Sequence, residues 1–102
     1  MKKLIILESP YAGDIDRNIE YARLCMLDSL QRGECPLASH LLYTQVLDDT
    51  IPSQRTMGIE AGLAWRKVAE KTVFYCDYGY SKGMQYAFDT AEMEIEERYL
   101  FK

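Results

Sequence analysis

The chain has 102 residues, 48% of them hydrophobic and 27% charged, with 12 basic against 16 acidic side chains and a formal net charge of -4. That length holds one domain, 1–102, and that composition is of a folded chain rather than a disordered one. The acidic balance excludes a protein that clamps a nucleic-acid backbone through a basic face.

The start, "MKKLIILESPYAG", has basic and apolar residues, but Glu8 and Pro10 cut the apolar stretch too short for a signal peptide. No other stretch is long and apolar enough to span a bilayer, so a cytoplasmic protein without a membrane partner is expected. Cys25, Cys35 and Cys76 show no C-x-x-C spacing and read as reduced thiols, with Cys25 and Cys76 serving as small hydrophobes.

"KLIILES" (3–9) is a short apolar run ending at a proline, the pattern of a buried parallel strand. "PYAGDID" follows as a loop, and Asp16 is placed to cap a helix from Arg17 to about Arg32. Ile19, Ala22, Met26 and Leu30 form its apolar face, and Gly33 stops it. "CPLASHLLYTQV" (35–46) contains a second strand. "LDDTIPSQR" then connects to a helix from about Ser53 to Glu70, with Met57, Ala61, Ala64, Trp65 and Val68 facing inward.

"TVFYCD" (72–77), rich in β-branched and aromatic residues, is the third strand. Ser81 caps a third helix in which Met84, Phe88, Ala91 and Ile95 form an apolar stripe. Glu92, Glu94, Glu96 and Glu97 read as the solvated face of that helix, and "RYLF" as a short strand or a docking helix end. The order β-α-β-α-β-α-(β) predicts a small three-layer α/β sandwich with a parallel sheet.

In such a fold ligands bind outside the carboxyl ends of the strands. Three segments should therefore share one crevice: "ESPYAGD", "YTQVLDD" and "DYGYSKG". In the last, Ser81 offers a hydroxyl, Gly83 permits close backbone approach, and the free amides of a helix start favour a phosphate or a 5′-hydroxyl. Tyr11 can stack on a base or sugar, or simply pack in its turn. His40 is the sole histidine and has no metal partners at ligand spacing, so a structural, hydrogen-bonded role is expected, with base recognition as the alternative.

"SPYAGDIDRNIEYAR", "CPLASHLLYTQVLDD" and "GYSKGMQYAFDTA", in that order and spacing, resemble the nucleoside 2-deoxyribosyltransferase-like family, and more narrowly its small bacteriophage-encoded members. The similarity spans roughly residues 3 to 95. It implies a Rossmann-like sandwich, a homodimer or larger assembly, and enzymes that act on the N-glycosidic bond of deoxyribonucleosides or their 5′-monophosphates. By the same resemblance Tyr11 and Gly13 border sugar and base, Ser81 and Gly83 hold the 5′ end, and Met84 and Ala87 line the pocket.

The family's catalytic glutamate falls at Ala87, or at Gln85 under a shifted alignment, and neither side chain can attack an anomeric carbon. The family's aspartate before the third strand is replaced near Lys71 or Thr72, and Lys71 would welcome phosphate. Asp89 lies about 200° around the helix from Ala87 and points elsewhere. Asp48 and Asp49 read as helix-capping or solvent-facing. Only Glu8 and Asp77, at the ends of strands one and three, could supply a relocated carboxylate.

The expected function is therefore binding without cleavage. The ligand is a nucleotide-derived small molecule, and the role is that of a phage protein in the host cytoplasm sequestering an immune signal such as a cyclic nucleotide or an ADP-ribose derivative. The alternatives are an active transferase or N-glycosidase using Glu8 or Asp77, and an interaction protein with a vestigial pocket. No metal and no cofactor is expected.

Overall fold

The computed structural model describes residues 2–101; positions 1 and 102 of the expected domain lie outside the described residues. Lys3–Glu8 forms β1, whose Ile5, Ile6 and Leu7 are all buried because both faces of the strand are covered. Asp14 then caps α1, Ile15–Gln31, accepting from the Arg17 amide. The cap is Asp14 rather than the expected Asp16, which sits in the first turn, where its charge complements the helix dipole. Gly33, at φ +84°, terminates the helix as expected.

β2 is only Glu34–Leu37; the remainder of the expected strand segment coils into α2, Ser39–Leu42, and a 3-10 turn, Tyr43–Gln45. α3 runs from Pro52 to Ala64 and continues as a 3-10 turn, Trp65–Lys67. Proline is at home in this first turn, so the helix starts one residue before the expected Ser53. Lys71–Tyr75 is β3, Lys82–Thr90 is α4 with Ser81 as its cap, and Glu94–Arg98 is β4.

All strand pairs are parallel, in the order β2-β1-β3-β4. Alternation along the strands divides the core. Ile5, Leu7, Val73 and Tyr75 pack with Tyr21 and Cys25 of α1 on one face. Phe74 and Cys76 pack with Met84 and Ala87 of α4 on the other. Burying each large apolar side chain in these layers contributes about 1.5–3 kcal/mol. The protein is the expected small Rossmann-like three-layer α/β sandwich. Among the described residues no helix is long and apolar enough to cross a membrane.

Several faces differ from expectation. On α1 the buried residues are Asn18, Tyr21, Ala22, Cys25 and Ser29, while Leu30 is half exposed. α3 buries no residue at all: Met57 is exposed instead of facing inward, and beyond the helix end Trp65 and Val68 are about half exposed. α4 stops at Thr90, so its stripe ends early, and Phe88 is partly exposed while its ring meets Phe74 and Tyr80 edge-on. Ile95 reaches the same cluster from β4, because Glu94–Arg98 pairs with the free edge of β3. The acidic run is thus mainly a strand, and Glu96 is ion-paired rather than merely solvated.

Candidate functional site

The strand order reverses direction between β1 and β3, which makes the carboxyl ends of these two strands the switch point of the sheet. A crevice of about 760 Å³ opens there, between the sheet end, α2, α3 and the start of α4. That volume is in the range of small-molecule sites. α3 forms a wall without filling the space beneath it. Its Gly62 meets α2 so closely that a Cβ would lie 2.8 Å from Ser39 Oγ, and this contact sets where the wall stands.

Glu8, Tyr11, Gly13, His40, Ser81, Gly83, Met84 and Ala87 all line this crevice, so residues from three separate segments meet as expected. The loop carrying Tyr11 is held from below. Buried Asn18 donates to the carbonyls of Tyr11 and Ala12 at 2.9 and 3.1 Å, and Gly13, at φ +99°, allows the turn that follows. Asn18 escaped the sequence reading because a polar residue carries no weight in an apolar periodicity.

At the opposite wall, Ser81 Oγ accepts from the Met84 amide at 3.2 Å. Helix geometry leaves the amides of Lys82 and Gly83 without intrahelical partners, a local positive pole for an anion. A Cβ at Gly83 would meet only Ser81 Oγ, at 4.0 Å, so the glycine leaves room on the crevice side rather than serving a protein contact. Met84 and Ala87 are buried along the floor.

His40 Nε2 lies 2.7 Å from Ser9 Oγ, and burial holds the ring neutral by lowering its pKa to about 4. Its Nδ1 is buried without a protein partner among the described residues. The expected structural, hydrogen-bonded histidine is present, and it also borders the crevice.

The two fallback carboxylates have opposite surroundings. Glu8 faces the crevice, and loss of hydration there raises its pKa to about 7 against the lowering pull of Arg66. Asp77 does not line the crevice. Its oxygens accept from the Tyr21 hydroxyl at 2.5 Å and from the amides of Leu100 and Phe101 at 2.8 and 2.9 Å. Burial opposes its charge, but these hydrogen bonds outweigh it and keep the carboxyl below the ordinary aspartate range.

Lys71 is the clear misplacement. It begins β3, at the opposite end of the strand from the crevice, and its ammonium lies 2.6 Å from Glu96 and 3.7 Å from Glu34. The crevice cations are instead Arg55, Arg66 and Lys82. Arg66 is fixed, donating to Ala87 O at 2.8 Å and Thr90 Oγ1 at 3.1 Å, which ties the end of α3 to α4. The sequence offered no local signal for these cations, since they gather only when α3 and α4 face each other.

A family model described as a domain of unknown function (DUF7768) matches residues 3–99. The chain belongs to this family. No curated protein and no solved structure matches it. The matched span contains every crevice residue named above, so the DUF7768 domain and the crevice are one unit.

Proposed function

We propose that this DUF7768 domain binds a nucleotide-derived small molecule in the crevice and releases it intact. The phosphate would rest at the start of α4, against Ser81 and the amides of Lys82 and Gly83. The sugar and base would lie between Tyr11 and the α3 wall. One observation carries this reading: a crevice at the switch point joins an aromatic loop to an anion-favouring helix start, with three cations on its walls and the methyl of Ala87 on its floor. The resemblance to the phage-encoded deoxyribosyltransferase-like proteins adds the physiological form, sequestration of a cyclic nucleotide or an ADP-ribose derivative in the host cytoplasm.

Glu8 supports a second reading, cleavage of the N-glycosidic bond, because its carboxyl faces the crevice and titrates near neutrality. Asp77 supports neither, since its oxygens are engaged by Tyr21 and the chain end. A homodimer or larger assembly belongs to the first reading, with exposed Leu24, Leu27 and Leu30 of α1 as available surface, and sedimentation tests it.

One experiment separates the two readings. Excess protein is incubated with nucleosides, 5′-nucleotides, cyclic nucleotides and ADP-ribose derivatives, filtered, and both fractions chromatographed after denaturation. Depletion of a ligand that is recovered intact supports binding. Free base formed with turnover, and lost in Glu8→Gln, establishes cleavage instead.

A further inference from the structure

Glu8 ends β1 at the switch point, alongside Phe74 of β3, and faces the crevice. Among the described residues no donor hydrogen-bonds its carboxylate and no cation forms an ion pair with it. The charged groups around it do not fill that gap. Arg66, from the turn after α3, directs its terminal nitrogens to Ala87 O and Thr90 Oγ1. His40 from α2 is neutral. Arg55 of α3, Lys82 of α4 and Asp49 from the connection before α3 line the crevice, and none of them shifts the Glu8 carboxyl as Arg66 does. Phe74, the register partner of Glu8, packs against the apolar Met84 and Ala87 of α4, and both of these also line the crevice.

Building on the nucleotide-binding proposal, we infer that Glu8 meets the ligand as a carboxylic acid, its hydroxyl donating to an acceptor atom of the bound nucleotide, so that capture takes up a proton and Glu8 selects which ligands are kept. The chemistry follows from the surroundings. An ionised carboxylate there finds no protein donor to stabilise it, its partial loss of hydration works against the charge, and it repels an anionic guest. The neutral acid needs one acceptor, and a nucleotide offers several: ring nitrogens of the base, sugar oxygens and phosphate oxygens. A carboxyl that titrates near pH 7 in the free protein is half ionised at neutrality, so a ligand that demands the acid must draw a proton from solution. Ligands presenting only donors toward Glu8 would bind the ionised form, and their capture would release protons instead of taking them up.

The test is calorimetric titration with 3′,5′-cyclic AMP and with ADP-ribose, whose phosphodiesters do not titrate near neutrality. Each is run in two buffers of different ionisation enthalpy at about pH 8. The expected result is uptake approaching one proton per ligand, with affinity falling by up to about tenfold per pH unit above pH 7. Glu8→Gln, whose amide always donates, should bind with neither the uptake nor the slope. A ¹³C NMR titration of the Glu8 carboxyl in the unliganded wild type should find its midpoint near neutrality. Binding without proton uptake, an unchanged slope in Glu8→Gln, or a carboxyl that titrates in the ordinary range each overturns this inference while leaving nucleotide binding intact. If neither probe nor any other nucleotide is retained by wild type or variant, both fall together.

Discussion

The Arg98 guanidinium of β4 donates to both carboxylate oxygens of Glu34 in β2, at 2.8 and 2.7 Å, although these strands form opposite edges of the sheet. The same guanidinium reaches Glu96 and the Tyr75 hydroxyl, and Lys71 joins through Glu96 and Glu34. Ser29 of α1 donates to Glu34 at 2.8 Å and Tyr75 donates to Asp28 at 2.7 Å, so the network also fastens α1 to the sheet. Lys71 thus lies away from the crevice with its charge already engaged by the Glu96 and Glu34 carboxylates.

Replacing Arg98 by Met should destabilise the protein by about 3–5 kcal/mol in urea unfolding, because Glu34 and Glu96 would remain close together without their main counter-charge. The pH dependence follows from the same pair. Hydrogen bonds from Arg98 hold both carboxyls below their ordinary range, Glu96 at about 2. A lowered folded pKa gives stability that is present above the unfolded value of about 4.5 and is lost as pH falls toward 2. The acid limb of a stability profile should flatten in Arg98→Met.

Glu8 acts in the opposite direction. Its folded pKa is raised to about 7, so the folded state keeps a proton that the unfolded chain gives up above about 4.5. Its contribution is therefore complete below about pH 4.5 and is lost as pH rises through 7. Glu8→Gln should unfold with about 2–3 kcal/mol more stability at pH 8, and the gain should disappear near pH 4.

His40 titrates with the usual sign of a buried histidine. With its pKa lowered to about 4, it supports the fold above the unfolded value of about 6.5 and withdraws that support as pH falls to 4. Over this interval it opposes Glu8, so the wild-type profile should be flatter than that of either His40→Asn or Glu8→Gln. Ser9→Ala, which removes the one hydrogen bond of the imidazole, should cost about 1–2 kcal/mol at neutral pH.

Asp77→Asn should leave ligand retention unchanged, since this side chain does not line the crevice. Its effect should appear at the chain end. The Leu100 and Phe101 amides, both bonded to Asp77, should exchange hydrogen faster, with about 1–3 kcal/mol lost from stability.

Ser81→Ala combines two losses. Removing the cap of α4 should cost about 1 kcal/mol of stability, measured by thermal unfolding. Retention of a phosphate-bearing ligand should fall as well, whereas uncharged nucleosides should be affected less.

The order of strands and helices along the chain and the three loops that meet at the crevice were legible from local pattern, whereas the order of strands within the sheet was not. Apolar runs such as 3–9 and 72–77 can be buried in few other ways, and a proline or glycine after each marks where the chain turns. Of the residues that the sequence points to for one site, Glu8, Tyr11, Gly13, His40, Ser81, Gly83, Met84 and Ala87 line the crevice together, and Lys71 does not. The helix faces were not legible. Asn18, Tyr21 and Ser29 are buried on α1 because Tyr11, Ala12, Asp77 and Glu34 hydrogen-bond them, whereas Leu24, Leu27 and Leu30 lie outward. Periodicity reports only what neighbours along a chain have in common. Whether a polar group can be buried, whether a carboxylate is engaged like Asp77 or unpaired like Glu8, and whether residues 94–98 coil or pair with β3 depend on partners distant in sequence, and only the tertiary structure supplies them.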